Sequence, residues 1–519
     1  MNKKLKFIAL AAAVTCTVAG FAGCGGKDDV ATTDTSSNKI TYWVSLSGNE
    51  SQTTTSRSET PFGKALAEKT GAEIEYQHPA QGQAGEKFNI MVATGKLPDI
   101  IEYSWVKAYP GGPDKALADG LIQELDLEKD APNLNAYIQE HKDMEKFIKT
   151  DDGKFYGFPF IRGDDFLLTS AGPIVRQDWL DDLGLQVPET IDEWTTVLRA
   201  FKEQKGAKAP LTVNLGQINN YGPFVGAFDT FSNLYVRDGK VVYGPMEDNF
   251  KAFLAQMNAW YEEGLLDADF ASVDGATQQS NILNGVSGAT YGSCGSGIGK
   301  WMAAAPDAKF NLTGAKYPVV NKGDKPQFGN YEFPVTGAVT AAITRDAKNK
   351  DLCAKVLDFA YSEEGKMLYN FGIEGESYNM VDGYPTYTEV VTKNPDGLSM
   401  AVSLARYALS QSTGAFVQDR RYMEQYANLP QQKAALENWM YIDMKDHLMP
   451  NVSLKPEQQT ELATVIENLN TYKEEMMAKF IMGVEDIEKF DEFKAQLEAR
   501  GVAKYIEYQQ QAYDRFMAR

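Results

Sequence analysis

Strand-like and helix-like segments alternate in the first part of this chain, and this alternation restricts the fold most. The β-type run Lys39 to Ser45 precedes an amphipathic helix over Pro61 to Gly71. The alternating segment Ala72 to His78 predicts a second strand, a helix ending at Gly95 follows, and Leu97 to Ile101 predicts a third strand. This β-α-β-α-β order predicts an α/β fold in which helices cover both faces of a parallel sheet.

A second strand-helix unit of the same kind follows a segment rich in Gly and Pro. Gly153 to Pro159 predicts a crossing strand, and Gly172 to Arg176 predicts the first strand of the new unit. Thr190 and Glu193 form a capping box that starts a helix. A chain of 519 residues is longer than one core usually organises, so two lobes are expected, with a return strand at Thr336 to Ile343.

Helical patterns dominate the remaining segments. Asp248 to Gly264 and Asn349 to Ser362 each carry apolar residues at helical spacing. The final segment, Pro456 to Arg519, predicts almost continuous helix with breaks at Gly483 and Gly501.

The first 38 residues have the pattern of an export signal that ends in a lipid-attachment site. Lys3, Lys4 and Lys6 precede an apolar run too short to span a bilayer, and small residues precede Cys24. The pattern predicts a signal peptide over residues 1–23, lipidation of Cys24 and a flexible tether over 24–38. Two acyl chains on Cys24 suffice for stable attachment, at ~0.8 kcal/mol per buried CH₂. The mature chain is therefore expected on the extracytoplasmic face of the cell membrane.

Composition argues against a nucleic-acid partner, and the Cys and His residues give no sign of a disulfide or a metal site. The formal net charge is −20 and no patch rich in Lys or Arg is present, so nucleic acid is not expected as a partner. Beyond Cys24 only Cys294 and Cys353 remain, and their sequence contexts give no reason to pair them. The chain contains three His, none of them at a metal-binding spacing.

Two features of the sequence resemble catalytic motifs, but neither one matches. The Gly-rich run Tyr291 to Lys300 does not match a phosphate-binding loop, because Cys294 stands at its first Gly and Trp301 replaces the Ser or Thr. Carboxylate pairs such as Asp164 and Asp165 are too common in an acidic chain to indicate a glycosidase. No catalytic residue, cofactor or metal ion is predicted.

Several blocks of sequence, taken in order, are shared with one family. They are TGKLPDIIEY from Thr94, DDGKFYGFP from Asp151, VRQDWLDDLGLQVPETIDEW from Val175, WYEEGLLDADF from Trp260, FGIEGESYNMVDGYP from Phe371, and KFIMG with YQQQAYDRF near the C-terminus. Together with the motif at Cys24, they resemble the family 1 extracellular solute-binding proteins of ABC transporters, in the lipoprotein branch associated with oligosaccharide uptake.

This resemblance implies an α/β, two-lobe periplasmic-binding-protein-like (type II) fold with hinge crossings and an interlobe cleft. The implied first lobe comprises residues 39–155 and 331–385, and the second comprises 156–330 and 386–519. The implied partners are an oligosaccharide ligand, the transmembrane subunits of an ABC permease, and the membrane through the lipid anchor. A monomer without enzymatic activity and without a cofactor is expected.

Ligand contacts are expected at the loops that end the strands, where aromatic faces suit sugar C–H surfaces and polar side chains suit hydroxyl groups. Arg162 with Asp164 could bind hydroxyls or a uronate, and a hinge salt bridge is the alternative. Net negative charge disfavours an acidic ligand, although Arg162 or Lys300 could reverse this locally. The candidates are Ser47, Asn49, Glu50, Tyr103, Trp105, Arg162, Asp164, Asn219, Tyr221, Tyr291 and Trp301.

Three other functions stay open at this point. A surface-tethered glycan-degrading enzyme would share the acidic, aromatic-rich composition, and an oligopeptide receptor would share the fold. A sensor or adhesin would bind a ligand without transporting it. The sequence does not identify the sugar.

Overall fold

The computed structural model describes residues 37–220 and 222–519, except for the side chains of residues 336 and 338. The predicted signal peptide, Cys24, the tether up to residue 36 and Tyr221 lie outside the described residues. The strands of the described part are β1 Lys39–Trp43, β2 Glu73–Gln77, β3 Ile100–Tyr103, β4 Phe158–Arg162, β5 Ala171–Arg176, β6 Leu211–Thr212, β7 Leu234–Arg237, β8 Lys240–Tyr243, β9 Ala289–Ser293, β10 Leu312–Gly314, β11 Val335–Ile343, β12 Tyr378–Val381, β13 Tyr384–Tyr387 and β14 Val417–Gln418.

Helices connect these strands and form most of the C-terminal part. In chain order they are α1 Pro61–Thr70, α2 Ala84–Thr94, α3 Trp105–Ala108, α4 Gly112–Ala118, α5 Leu127–Asp130, α6 Pro132–Glu140, α7 Glu145–Ile148, α8 Gln177–Leu183, α9 Ile191–Lys205, α10 Leu215–Asn220, α11 Asp248–Glu262, α12 Gly275–Leu283, α13 Lys300–Ala303, α14 Lys350–Phe359, α15 Glu363–Phe371, α16 Glu389–Thr392, α17 Met400–Tyr407, α18 Arg420–Tyr426, α19 Pro430–Trp439, α20 Pro456–Ile481, α21 Phe490–Ala499 and α22 Val502–Met517.

The first lobe is built on a six-stranded sheet with the order β14-β4-β11-β3-β1-β2. Strand β1 pairs in parallel with β2 and β3, which confirms the predicted β-α-β-α-β unit. Both faces of β1 are buried, with Ile40 and Tyr42 in one core cluster and Trp43 in another. This burial is typical of parallel strands covered by helices on both sides. Strands β1, β3, β4 and β14 run in the same direction, so their carboxyl ends share one edge.

The second lobe is built on a four-stranded sheet with the order β10-β5-β9-β6. Strand β5 is antiparallel to both β9 and β10, and the parallel pair of this sheet is β6 with β9. The expectation of a second unit like the first is therefore wrong. The paired strands β5 and β9 are separated by five helices and three strands, so no single crossover helix imposes a parallel direction.

Most individual elements agree with the predictions. The capping box at Thr190 is present, with the Glu193 N–H donating to the Thr190 hydroxyl and the Glu193 carboxylate accepting the Thr190 N–H. Gly483 and Gly501 interrupt the C-terminal helices with φ of 67° and 94°, a backbone conformation that favours Gly. The Gly-rich run differs from the expected loop, because Cys294–Gly299 forms a π-helical turn that continues into α13.

Two strands belong to the first sheet although the predicted lobe ranges assign them to the second lobe. These strands are β4 and β14, which pair with each other. Phe158, Phe160 and Val417 pack into the core of the first lobe, so apolar side chains hold both strands there. The boundaries after residues 155 and 385 stay a prediction, and the two strands lie beyond them.

The C-terminal segment contacts both lobes. A Cβ at Gly111 would lie 2.7 Å from Pro456, and one at Gly112 would lie 2.1 Å from the Ser453 hydroxyl, so these glycines permit close packing on the first lobe. Helix α20 then packs against α11 of the second lobe. Helix α22 returns to the first lobe, where Arg515 forms an ion pair with Asp151 at 2.8 Å.

The described residues contain no helix that is both long and apolar enough to cross a membrane. Cys294 and Cys353 are free thiols, and they lie in the cores of different lobes. Burial raises the pKa of each thiol to about 12, so both are protonated and unreactive at neutral pH.

Candidate functional site

Three chain segments cross between the lobes side by side. They are the end of β4 at Arg162, the segment Tyr331 to Pro334 that leads into β11, and the end of β14 at Gln418. The Arg162 N–H donates to the Pro334 carbonyl at 2.8 Å, and the Gly163 N–H donates to the Gln418 carbonyl at 3.0 Å. These hydrogen bonds hold the crossings together at the base of the gap between the lobes.

The guanidinium of Arg162 links all three crossings. Its Nε donates to Oε2 of Glu332 at 2.8 Å, and its Nη1 donates to Oε1 of Gln418 at 3.1 Å. The same guanidinium lies 5.5 Å from the centre of the Phe160 ring. Arg162 therefore forms a salt bridge at the crossings, but its partner is Glu332 and not the expected Asp164.

Asp164 has other partners than Arg162. Its Oδ1 accepts the Phe166 N–H at 2.8 Å, which caps a short helical turn, and it lies 3.6 Å from Nη1 of Arg420. The expected pairing of Asp164 with Arg162 is wrong, because the turn directs this carboxylate toward α18. Asp164 still lines a cavity at the crossings, so its ligand contact stays a prediction.

Two cavities lie against the crossings. The larger has a volume of about 620 Å³ and the smaller of about 320 Å³, and Arg162, Tyr331, Phe333 and Leu448 line both. The larger is bounded by Met144, which packs in the first core, and by Leu448, which packs against the second. A ligand in this region would contact both lobes.

Aromatic rings form much of the shared wall. Phe333 packs against Phe147 with ring centres 4.8 Å apart, and Phe147 in turn packs against Phe516. Burial raises the pKa of Tyr331 to about 12, so its hydroxyl stays protonated and can both donate and accept hydrogen bonds. Flat rings beside fixed hydrogen-bonding groups are the combination that sugar recognition requires.

The loop after β1 contains three predicted ligand contacts, and they differ in exposure. Glu50 is 1% exposed, and its carboxylate binds the Arg57 guanidinium with Oε1 2.9 Å from Nε and Oε2 3.2 Å from Nη2. The prediction of a ligand contact for Glu50 is therefore wrong, because the loop folds this side chain inward. Ser47 and Asn49 are half-buried, and Nδ2 of Asn49 donates to Oε1 of Gln411 at 3.3 Å, so their contacts stay predictions.

The two aromatic residues after β3 also differ. Tyr103 is half-buried and packs edge-on against Trp43, so its ligand contact stays a prediction. Trp105 is 0% exposed, and its Nε1–H donates to the Ile101 carbonyl at 3.3 Å. The prediction of a ligand contact for Trp105 is wrong, because the helix α3 turns the indole into the core beside Phe88.

Three predicted contacts in the second lobe are buried, and these predictions are likewise wrong. The Tyr291 hydroxyl lies 3.4 Å from the Tyr317 hydroxyl. Trp301 packs in the second core, and Nδ2 of Asn219 donates to Oε1 of Glu474 at 2.7 Å. Tyr291 lies in β9, whereas Asn219 and Trp301 lie on the helices α10 and α13 and not on the expected loops. Tyr221, the remaining candidate, is outside the described residues.

Sequence reasoning missed several cavity residues, namely Phe160, Tyr331, Glu332 and Phe333. None belongs to a catalytic or binding motif. The available signal was the run of aromatic and acidic residues directly before the predicted return strand, at Tyr331 to Phe333. Within the described part of the chain, no group of three or more His, Cys, Asp or Glu is arranged to hold a metal ion.

Comparisons with known proteins agree on one family. The profile of the family described as "Bacterial extracellular solute-binding protein" matches residues 51–367. Lipoprotein LipO of Bacillus subtilis is 27% identical over 429 residues, which cover 79% of this chain and 80% of LipO. The fructooligosaccharide ABC transporter substrate-binding protein FusA of Streptococcus pneumoniae is 23% identical, with 97% of each chain covered.

A solved structure shares the fold. The alginate-binding protein AlgQ2, solved without calcium ion, superposes with a TM-score of 0.72 at 24% identity. The match covers 93% of this chain and 99% of AlgQ2. At this level of identity the likeness shows the fold, which is the predicted two-lobe α/β arrangement.

Proposed function

The chain belongs to the bacterial extracellular solute-binding proteins, and from this premise we propose that it captures an oligosaccharide between its two lobes for an ABC importer. In this proposal Cys24 carries the lipid anchor on the extracytoplasmic face of the cell membrane. The loaded, monomeric receptor presents its closed form to the permease subunits and releases the sugar unchanged.

The observation that carries the proposal is the wall at the three crossings. It combines the rings of Tyr331 and Phe333 with the fixed polar groups of Arg162 and Glu332, and cavities that it borders reach side chains from both lobes. Ligand binding favours a closed state only through contacts that the open state lacks, so a site reached by both lobes suits this role. The name of FusA, a relative over nearly the full length, adds support for an oligosaccharide.

Titration calorimetry and thermal unfolding with a panel of oligosaccharides test this function. A bound sugar at one hundred times its Kd should stabilise the folded protein by about 2.7 kcal/mol. Chromatography of the same mixtures should show intact sugars. Stabilisation by peptides alone would indicate an oligopeptide receptor, and cleaved products would indicate a glycan-degrading enzyme. Binding combined with normal sugar uptake in a deletion strain would indicate a sensor or adhesin.

Truncation of the Tyr331 ring should weaken sugar binding. Tyr331→Ala removes an aromatic face and a hydroxyl from both cavities, and the expected loss is about 1–3 kcal/mol of binding free energy. Calorimetry against the tightest sugar of the panel measures it. The matched control is Tyr441→Ala, because Tyr441 is exposed and lines neither cavity. Equal affinity of Tyr331→Ala and the wild type would place the sugar elsewhere.

Loss of the thiol at position 24 should release the protein from the membrane. Cys24→Ala removes the atom that would carry the acyl chains, so the variant should move from the membrane fraction to the soluble fraction. Its affinity for the sugar should stay unchanged, since the tether takes no part in the proposed site. Cell fractionation followed by immunoblotting measures the distribution, and retention in the membrane fraction would contradict the proposed anchor.

A further inference from the structure

From the charges around the two cavities, we infer that the site takes a neutral oligosaccharide and that Glu332 excludes acidic ones. This inference rests on the proposed function and specifies its substrate class. Three permanent cations line the cavities, namely Arg162, Lys146 and Lys445. Five carboxylates line the same space: Asp143, Asp164, Asp165, Glu332 and Asp446.

The one guanidinium of the wall is already neutralised. Glu332 accepts hydrogen bonds from Nε and Nη2 of Arg162, and Gln418 accepts from its Nη1. A guanidinium is the side chain that can give a uronate two charge-assisted hydrogen bonds and so compensate the carboxylate for leaving water. To bind Arg162 in this way, the sugar would have to displace a carboxylate that the crossings hold in place.

Glu332 is placed to act on the ligand directly. The Glu332 side chain lines the smaller cavity and is 44% exposed, whereas the side chain of its partner Arg162 is only 17% exposed. A sugar carboxylate in this cavity would face a like charge, whereas a sugar hydroxyl could donate a hydrogen bond to the same oxygens. Repulsion of one ligand class together with attraction of the other is how charged sites obtain specificity.

Two other cations of the region have partners of their own, whereas Lys445 lines the larger cavity from an exposed position. Lys146 lies over the rings of Phe147 and Phe516, at 5.5 and 5.6 Å from their centres. Arg420, beside the crossing, pairs with Glu424 at 2.8 Å and approaches Asp164. Carboxylates outnumber cations around the cavities, so a bound anion would gain no net attraction from the wall.

Matched pairs of sugars test the inference. The mature chain is titrated with oligogalacturonides, with the same sugars after reduction of their carboxyl groups to alcohols, and with neutral gluco- and fructo-oligosaccharides. The wild type should bind the neutral member of a pair at least tenfold more tightly. The variant Glu332→Gln should reduce this ratio about tenfold by freeing Arg162 for a uronate. The control Glu263→Gln, which breaks the surface pair with Arg199, should leave the ratio unchanged.

Each outcome has a distinct meaning. Equal or tighter binding of the acidic member by the wild type overturns the inference and leaves the proposed function intact. An unchanged ratio in folded Glu332→Gln overturns the role of Glu332. If that variant does not fold, the wild type is titrated at low and high salt, where exclusion by like charge should weaken as salt rises, and a constant ratio overturns the inference. Absence of binding to every sugar overturns the proposed function, and the inference with it.

Discussion

Replacement of Glu50 by glutamine is expected to lower the free energy of unfolding by about 3–5 kcal/mol, because it leaves the buried Arg57 guanidinium without its counter-charge. Glu50 is 1% exposed and Arg57 is 4% exposed. Burial by itself would raise the pKa of Glu50, but the Arg57 guanidinium beside it holds that pKa below its usual value. Urea unfolding at neutral pH, followed by tryptophan fluorescence, measures the loss.

A surface pair supplies the matched control. Glu364 pairs with Lys69, but the Glu364 side chain is 62% exposed, so Glu364→Gln should change the free energy of unfolding by less than about 1 kcal/mol. If Glu50→Gln and Glu364→Gln lowered the free energy of unfolding by the same amount, burial would not be the reason for the effect at Glu50.

The effect of Glu50 should also depend on pH. Because its folded-state pKa is lowered, the stabilising contribution is complete above the ordinary carboxyl pKa and is lost as the pH falls through the folded-state value. The difference in stability between the wild type and Glu50→Gln should therefore narrow in acid. A difference that stays constant below the ordinary carboxyl pKa would contradict the lowered value.

Truncation of Trp439 to alanine is expected to destabilise the second lobe by about 3–5 kcal/mol. The indole is fully buried, and its Nε1–H donates to the Pro173 carbonyl at 3.2 Å. Two glycines make room for the ring, since a Cβ at Gly172 would lie 2.3 Å from its Cδ1 and a Cβ at Gly314 would lie 3.1 Å from its Cε2. Loss of the ring thus leaves a cavity between α19 and the second sheet.

Calorimetry of thermal unfolding measures this effect and can resolve separate transitions of the two lobes. Tyr441→Ala is the control, because it truncates an exposed ring two residues further along the chain. It should shift the transition little. A Trp439→Ala variant that unfolds at the wild-type temperature would show that the second lobe repacks around the missing ring.

Features that depend on residues close together in the sequence were predicted correctly, whereas features that depend on distant residues were not. The strand β1, the helix α1 and the capping box at Thr190 were predictable because their signals lie within a few residues. The antiparallel direction of β5 against β9 could not be predicted, because about 110 residues separate the two strands and no local pattern encodes their pairing.

The candidate site divides in the same way. The strand ends near Tyr103, Trp105 and Tyr291 were predictable from turn signals and apolar runs. The sequence did not show which of these rings points outward. One helical turn after β3 rotates Trp105 into the core, while Tyr103 stays half-buried. The rings that line the cavities, Tyr331 and Phe333, carry no motif and are recognisable only by position.

Local pattern alone therefore established the α/β class, the helical C-terminal segment and the family resemblance, since each depends on residues close together in the chain. The export signal stays a prediction from the same kind of pattern. Only the folded arrangement could assign the partners of Arg162, because Glu332 and Gln418 lie 170 and 256 residues away from it. Whether a charged side chain is free or neutralised depends on which groups meet in space. For this reason the charge of the proposed site follows from the three crossings and not from the composition of the chain.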